Sequence, residues 1–142
     1  MTRLTLDLAN RIIAAALDHG RALGLKPLTV AVLDPGGHVV ALQRQDGAST
    51  MRPAIAIGKA AGALALGVSS RKIADMAAER PTFVASLAGL APHGLVPAAG
   101  GVIIVDNEGQ PIGAVGITGD LSDQDEACAL AGLAAAGLAA QS

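Results

Sequence analysis

The stretch Gly100-Gly101-Val102-Ile103-Ile104-Val105-Asp106-Asn107-Glu108-Gly109-Gln110-Pro111-Ile112-Gly113-Ala114-Val115-Gly116-Ile117-Thr118-Gly119-Asp120 decides the fold of this 142-residue chain. Val102 to Val105 and Gln110 to Thr118 read as strands, and Asp106-Asn107-Glu108-Gly109 between them is a hairpin turn. In the longer strand Gly113, Val115 and Ile117 alternate with Ala114, Gly116 and Thr118. At period two, one face of that strand is almost bare, so a helix or another backbone can approach it closely. The glycines also suggest a phosphate loop. However, their spacing is GxxGxxG rather than GxGxxG, no parallel strand–turn–helix unit surrounds them, and no GK[ST] follows. Close packing is the better reading.

A second hairpin lies upstream. Leu28 to Leu33 and His38 to Leu42 are apolar and rich in β-branched residues, and Asp34-Pro35-Gly36-Gly37 is a strong turn between them. Arg44-Gln45-Asp46-Gly47-Ala48 then leads into a polar loop.

Helices fill the remainder. The first starts with Thr5 as N-cap and Asp7 in its first turn, and ends at Gly24 before Pro27. Leu8, Ile12, Ala15, His19 and Leu23 are expected to form its apolar face. The next runs from Pro53 to about Leu66, with Lys59 as its only charge, and Ser69 or Ser70 caps a shorter one. Thr82 to Leu90 reads as a turn or two of helix. Ser122 is the expected N-cap of the last helix, with acidic residues in its first turn. From Ala127 to Ala140 that helix has no polar face, which predicts burial on several sides and hence a subunit interface. Helix, hairpin, helices, hairpin, helix is the order of an α+β layered domain with an antiparallel sheet, and residues 1–142 form a single domain.

Composition narrows the function classes. Hydrophobic residues make up 51% of the chain and charged ones 15%, enough apolar material for a core and too much for disorder. Aromatics are only 1%, the lone Phe83, so little area is buried per residue and subunit contacts are the usual remedy. A net charge of −2, with no basic stripe and no stacking aromatics, argues against nucleic acid as a partner. Pro81 to Val105 contains no Asp, Glu, Lys or Arg, but Pro92, Pro97 and Gly100-Gly101 break it, so it reads as buried structure rather than a membrane span. The absence of a signal-type apolar core at the N-terminus and the single Cys128 point to the cytoplasm.

The candidate site residues are few. His19, His38 and His93 are scattered without ligand-type spacing, and no HExxH, CxxC or carboxylate cluster suggests a metal site. Cys128 reads as a small buried hydrophobe. Lys59 either reaches water or pairs with a carboxylate, for which Asp46 and Asp120 are the candidates. Arg44 and Lys59 together would suit an anion such as a carboxylate or a haem propionate, although a structural ion pair is the more economical reading. No nucleophile–base pair is visible, so the residues identify no reaction.

The ordered string Val30–Gly37, Arg44–Ala48, Ala56-Ile57-Gly58-Lys59-Ala60, Gly100-Gly101-Val102, Gly113–Gly119 and Asp123–Ala127 resembles the GlcG/HbpS-like family, which is related to the PduO C-terminal domain. The resemblance runs from about Leu4 to Leu138. It implies a profilin-like α+β domain with a central antiparallel sheet of about five strands flanked by helices. It also implies homo-oligomers, frequently octamers built from dimers, and haem as cofactor, bound or degraded. The site expected on this basis comprises Arg44, Asp46, Lys59, His93, Gly100, Gly101 and Thr118, with His93 as the candidate haem ligand in an apolar slot lined by Phe83 to Val105. The alternative is a non-haem accessory protein of glycolate or diol metabolism, in which Arg44 or Lys59 holds a small carboxylate.

Overall fold

The computed structural model describes residues 3–142. The chain runs α1 (Leu6–Ala22), β1 (Thr29–Leu33), β2 (Val39–Arg44), α2 (Arg52–Leu66), α3 (Ser70–Glu79), α4 (Pro81–Ala88), β3 (Gly101–Val105), β4 (Pro111–Thr118), α5 (Ser122–Ala135) and β5 (Ala139–Ala140). The strands form one antiparallel sheet in the order β2-β1-β4-β3-β5. This is the α+β layered architecture, with both hairpins where the turns put them.

The two faces of the sheet are covered differently. On one face α1 and α5 pack against Val30, Val32, Val102, Ile104, Val115 and Ile117. Ile12 and Ile13 of α1 are completely buried there, and such side chains each contribute about 1.5–3 kcal/mol. On the other face α2 packs Ala56, Ala60 and Ala61 against Ala31, Leu33 and Ala114. Here Gly116 is essential, because a Cβ on it would collide with the carbonyl oxygen of Ala56 and with Ala60. The bare face of β4 is the seat of α2. No single helix among the described residues is long and apolar enough to cross a membrane.

Local signals account for most boundaries. The Thr5 hydroxyl accepts the Leu8 N–H and caps α1, while Gly24, at φ 68°, returns its N–H to the Arg21 carbonyl. Ser69, not Ser70, caps α3 by accepting the Lys72 N–H.

Three expectations are corrected. The buried face of α1 is Ala9, Ile12, Ile13, Ala16, Leu17 and Gly20, leaving Leu23 exposed and His19 half-buried. The stripe is carried by Ile12, Ile13, Ala16 and Leu17, and Gly20 at its end lies against Leu28. Ser122 is the first helical residue of α5 rather than its cap; Leu121 occupies the cap position and makes no side-chain cap bond. Finally, the apolar run 127–140 is not one helix. It stops at Ala135, turns at Gly137 (φ 71°) and returns as β5 along β3, so the last alanines serve a sheet edge.

Candidate functional site

Lys59 sits midway along α2 with only 3% of its surface exposed. Its Nζ donates to the Ile117 carbonyl at 2.9 Å and to Asp125 Oδ2 at 3.2 Å. The other oxygen of Asp125, itself 1% exposed, accepts the Asp120 N–H at 3.1 Å. Burial pulls the Lys59 ammonium below its ordinary range and pushes the Asp125 carboxyl above its own, while their mutual attraction opposes both shifts. Lys59 therefore pairs with Asp125, not with the expected Asp46 or Asp120. Its charge is committed inside the protein, and the expected joint site with Arg44 does not form.

Gly100 and Gly101 make this burial possible. A Cβ on Gly100, whose φ is 129°, would strike the Ile117 carbonyl and Lys59 Nζ. One on Gly101 would strike the Lys59 carbonyl and the Ser70 hydroxyl. Ser70 Oγ accepts the Gly101 N–H at 2.7 Å and closes the start of β3. Both glycines thus build the housing of Lys59. Beside this housing Arg71 of α3 ties down the start of α5, with Nε 3.0 Å from Glu126 and Nη2 2.6 Å from Asp123. The acidic first turn of α5 consequently has tertiary partners for all three carboxylates, beyond any dipole effect.

Arg44 and Asp46 lie elsewhere, at the end of β2, where they line a cleft with Leu17, Gly20, Leu25 and Pro27. Among the described residues neither forms an ion pair. Thr118 ends β4 and its hydroxyl accepts a 2.7 Å hydrogen bond from Arg52 Nη1 at the start of α2. Arg52 was not among the expected site residues, because nothing local ties it to a strand 66 positions away.

His93 lies exposed in the loop after α4. Contrary to the scattered reading of the histidines, its ring meets that of His38 edge-on, with centroids 5.6 Å apart. His38 Nδ1 lies 3.5 Å from Asp34 Oδ1, so the first hairpin turn backs the pair. The Asp34 carboxyl is held below its ordinary value mainly by the His38 backbone N–H, which it accepts. His93 also lines a cleft of about 140 Å³ with Pro35, Gly37, Ala61, Leu64 and Pro92. A neighbouring cleft of about 180 Å³, walled by Leu66, Leu87, Leu90 and Leu95, shares Ala65 and Pro92 with it. Together they make an apolar groove between the C-terminal half of α2 and the loop after α4, with an imidazole at its rim. Phe83, expected in this slot, instead stacks under the Arg80 guanidinium at 4.1 Å. No group of three or more metal-ligating side chains occurs among the described residues.

Comparisons with known proteins agree with this architecture. A family model described as haem degrading protein HbpS-like matches residues 4–134. The crystal structure of HbpS superposes with a TM-score of 0.80 at 30% identity, over 94% of this chain and 90% of that one. Protein ORFY of Klebsiella pneumoniae gives 0.85 at 26% identity, covering 96% and 93%. The complex of PduOC with haem gives 0.87 at 22% identity, covering 99% and 100%; at that identity the likeness is one of fold. No curated protein matches the sequence.

Proposed function

We propose that this chain, which belongs to the HbpS-like family, binds haem. The family match over residues 4–134 and the 30% identity to HbpS support a haem-binding family member. The observation that carries the reading to this chain is the groove at His93. An accessible imidazole is a common axial ligand of haem iron, and the apolar walls suit the porphyrin faces. His38 packs edge-on against the His93 imidazole and Asp34 lies 3.5 Å from His38 Nδ1, so the first hairpin turn limits where the ring can point.

Each cleft is smaller than the ~300–1,000 Å³ common for bound small molecules, so a porphyrin on one copy would leave much of its surface uncovered. A second copy covering it is the simplest completion. Exposed Leu90, Leu121 and Leu130 supply apolar surface for such contacts. The assembly we propose is therefore a homo-oligomer built on dimers.

Bound haem would supply the redox and oxygen chemistry that its degradation requires; the chain itself would hold the iron and shield the macrocycle. Titration of the apo-protein with haemin tests the proposal. The expected result is a Soret shift saturating at a defined stoichiometry, retained in His19→Ala and lost in His93→Ala. No saturable shift would overturn haem binding, and a shift unchanged in His93→Ala would overturn the ligand assignment. Incubating the complex with reductant and oxygen then separates binding from breakdown by whether the Soret band decays into product.

A further inference from the structure

Beneath the start of α2 the sheet ends in a row of polar side chains. The register pairs Arg44 with Thr29 and Thr29 with Thr118, so these three residues lie abreast across β2, β1 and β4. Directly opposed residues of an antiparallel sheet share a face. For Thr29 and Thr118 it is the α2 face, because Ala31 and Leu33, at alternate positions of β1, pack against α2. Arg44, at the exposed end of β2, also borders the cleft beside α1. The row is polar where the next row on the same face, Leu42, Ala31 and Gly116, is apolar.

Its hydrogen bonding is incomplete. The Thr29 hydroxyl is fully buried and is the only such side-chain polar atom without a partner among the described residues. Burying a hydroxyl unpaired is costly, and native folds rarely tolerate it without a use. Thr118 Oγ1 accepts from Arg52, which leaves its own proton free to donate. Neither Arg44 nor Arg52 has a carboxylate partner among the described residues. The row also faces the first turn of a 15-residue helix that has no side-chain cap and no acidic residue there. Two guanidinium groups, two hydroxyl donors and an uncapped helix start all lack the same thing, an acceptor with negative charge.

We propose that Arg44, Thr29, Thr118 and Arg52 form a binding site for a small organic carboxylate. Arg52 is half-buried and lies over Thr118. It exchanges that hydrogen bond for the ligand, so its guanidinium fork grips one carboxylate while the threonine hydroxyls donate from below. A planar carboxylate suits this fork. The site is separate from the haem groove, since thirteen helical rises of 1.5 Å put Ala65 roughly 20 Å along α2 from Arg52. It stands whether or not haem binds.

Calorimetric titration of the full chain with acetate, glycolate and inorganic phosphate, with chloride as control, tests the assignment. Saturable binding of acetate or glycolate is expected, weakened at least about tenfold in both Arg44→Gln and Arg52→Gln. Thr29→Val gives a second reading that does not depend on charge. Removing the unpaired hydroxyl is expected to raise the melting temperature of the free protein while abolishing the further rise produced by the carboxylate. Phosphate binding without carboxylate binding would overturn the ligand class. Binding unchanged in the two arginine variants, or no saturable binding at all, would overturn the site.

Discussion

Lys59 Nζ lies 3.2 Å from the Asp125 carboxylate, and both side chains are sealed from solvent beside the end of β4 and the start of β3, so the pair bridges α2 to α5. Removing one partner of such a pair strands a charge in the interior, which costs about 3–5 kcal/mol. Lys59→Met and Asp125→Leu are each expected to lose stability of that order. The double variant is expected to lose less than the sum of the two single losses, because no charge is stranded. Urea unfolding of the four proteins measures the coupling.

Asp120, just before α5, and Asp34, in the first hairpin turn, are expected to make the fold sensitive to acid. Asp120 is held below the ordinary carboxyl value of 3.8 chiefly by the Lys26 N–H, and then by that of Leu121. Asp34 is lowered mainly by the His38 N–H. A lowered folded pKa contributes stability that is complete above the unfolded value and is lost as pH falls through the folded one. Asp34→Asn and Asp120→Asn should therefore be less stable than the parent at neutral pH, with the gap closing below about pH 3.8. Melting curves from pH 7 to 2 check it; a gap constant with pH would count against charge as the cause.

Gly116→Ala is expected to destabilise more than the ~1–3 kcal/mol usual for overpacking, because its Cβ meets a backbone carbonyl that no side-chain rotation can clear. Gly109→Ala is the control at a turn with open space, where only the positive φ of 80° opposes the substitution. Comparing the yields of soluble protein and the unfolding midpoints orders the two.

Cys128 is fully buried in α5, and its thiol is pushed up to about 11, first by burial and then by the nearby Asp125 and Asp120 charges. Thiol reagents at pH 8 are expected to leave it untouched in the native protein and to label it at the rate of unfolding. Rapid labelling without denaturant would contradict this packing.

Much of this was legible in local sequence. Asp34–Gly37 and Asp106–Gly109 announce hairpins by turn chemistry alone, and the alternation around Gly116 foretold the close approach of a helix. What escaped depends on distance along the chain. Asp125 is 66 residues from Lys59 and sits inside α5, whereas the carboxylates considered, Asp46 and Asp120, were chosen for their loops beside α2 and the glycine strand. His38 and His93 carry no joint spacing signal, and the loop after α4 alone brings them together. The α1 face was misplaced: Ile13, Ala16 and Leu17, not Ala15, His19 and Leu23, continue the apolar stripe from Ile12. The return of Leu138–Gln141 along β3 was hidden because an alanine run favours helix and only pairing with β3 overrides it; Gly137 was the overlooked break.

The seat of α2 on β4 limits which substitutions the fold can absorb. Ala56, Ala60 and Gly116 meet backbone to backbone, so drift toward larger residues there cannot be absorbed by a rotamer change and must displace a whole helix. Larger side chains can therefore be accommodated only toward the two ends of α2, one beside the histidine groove and one above the polar row. The middle of the helix fixes the scaffold, and what it can hold is set at its ends.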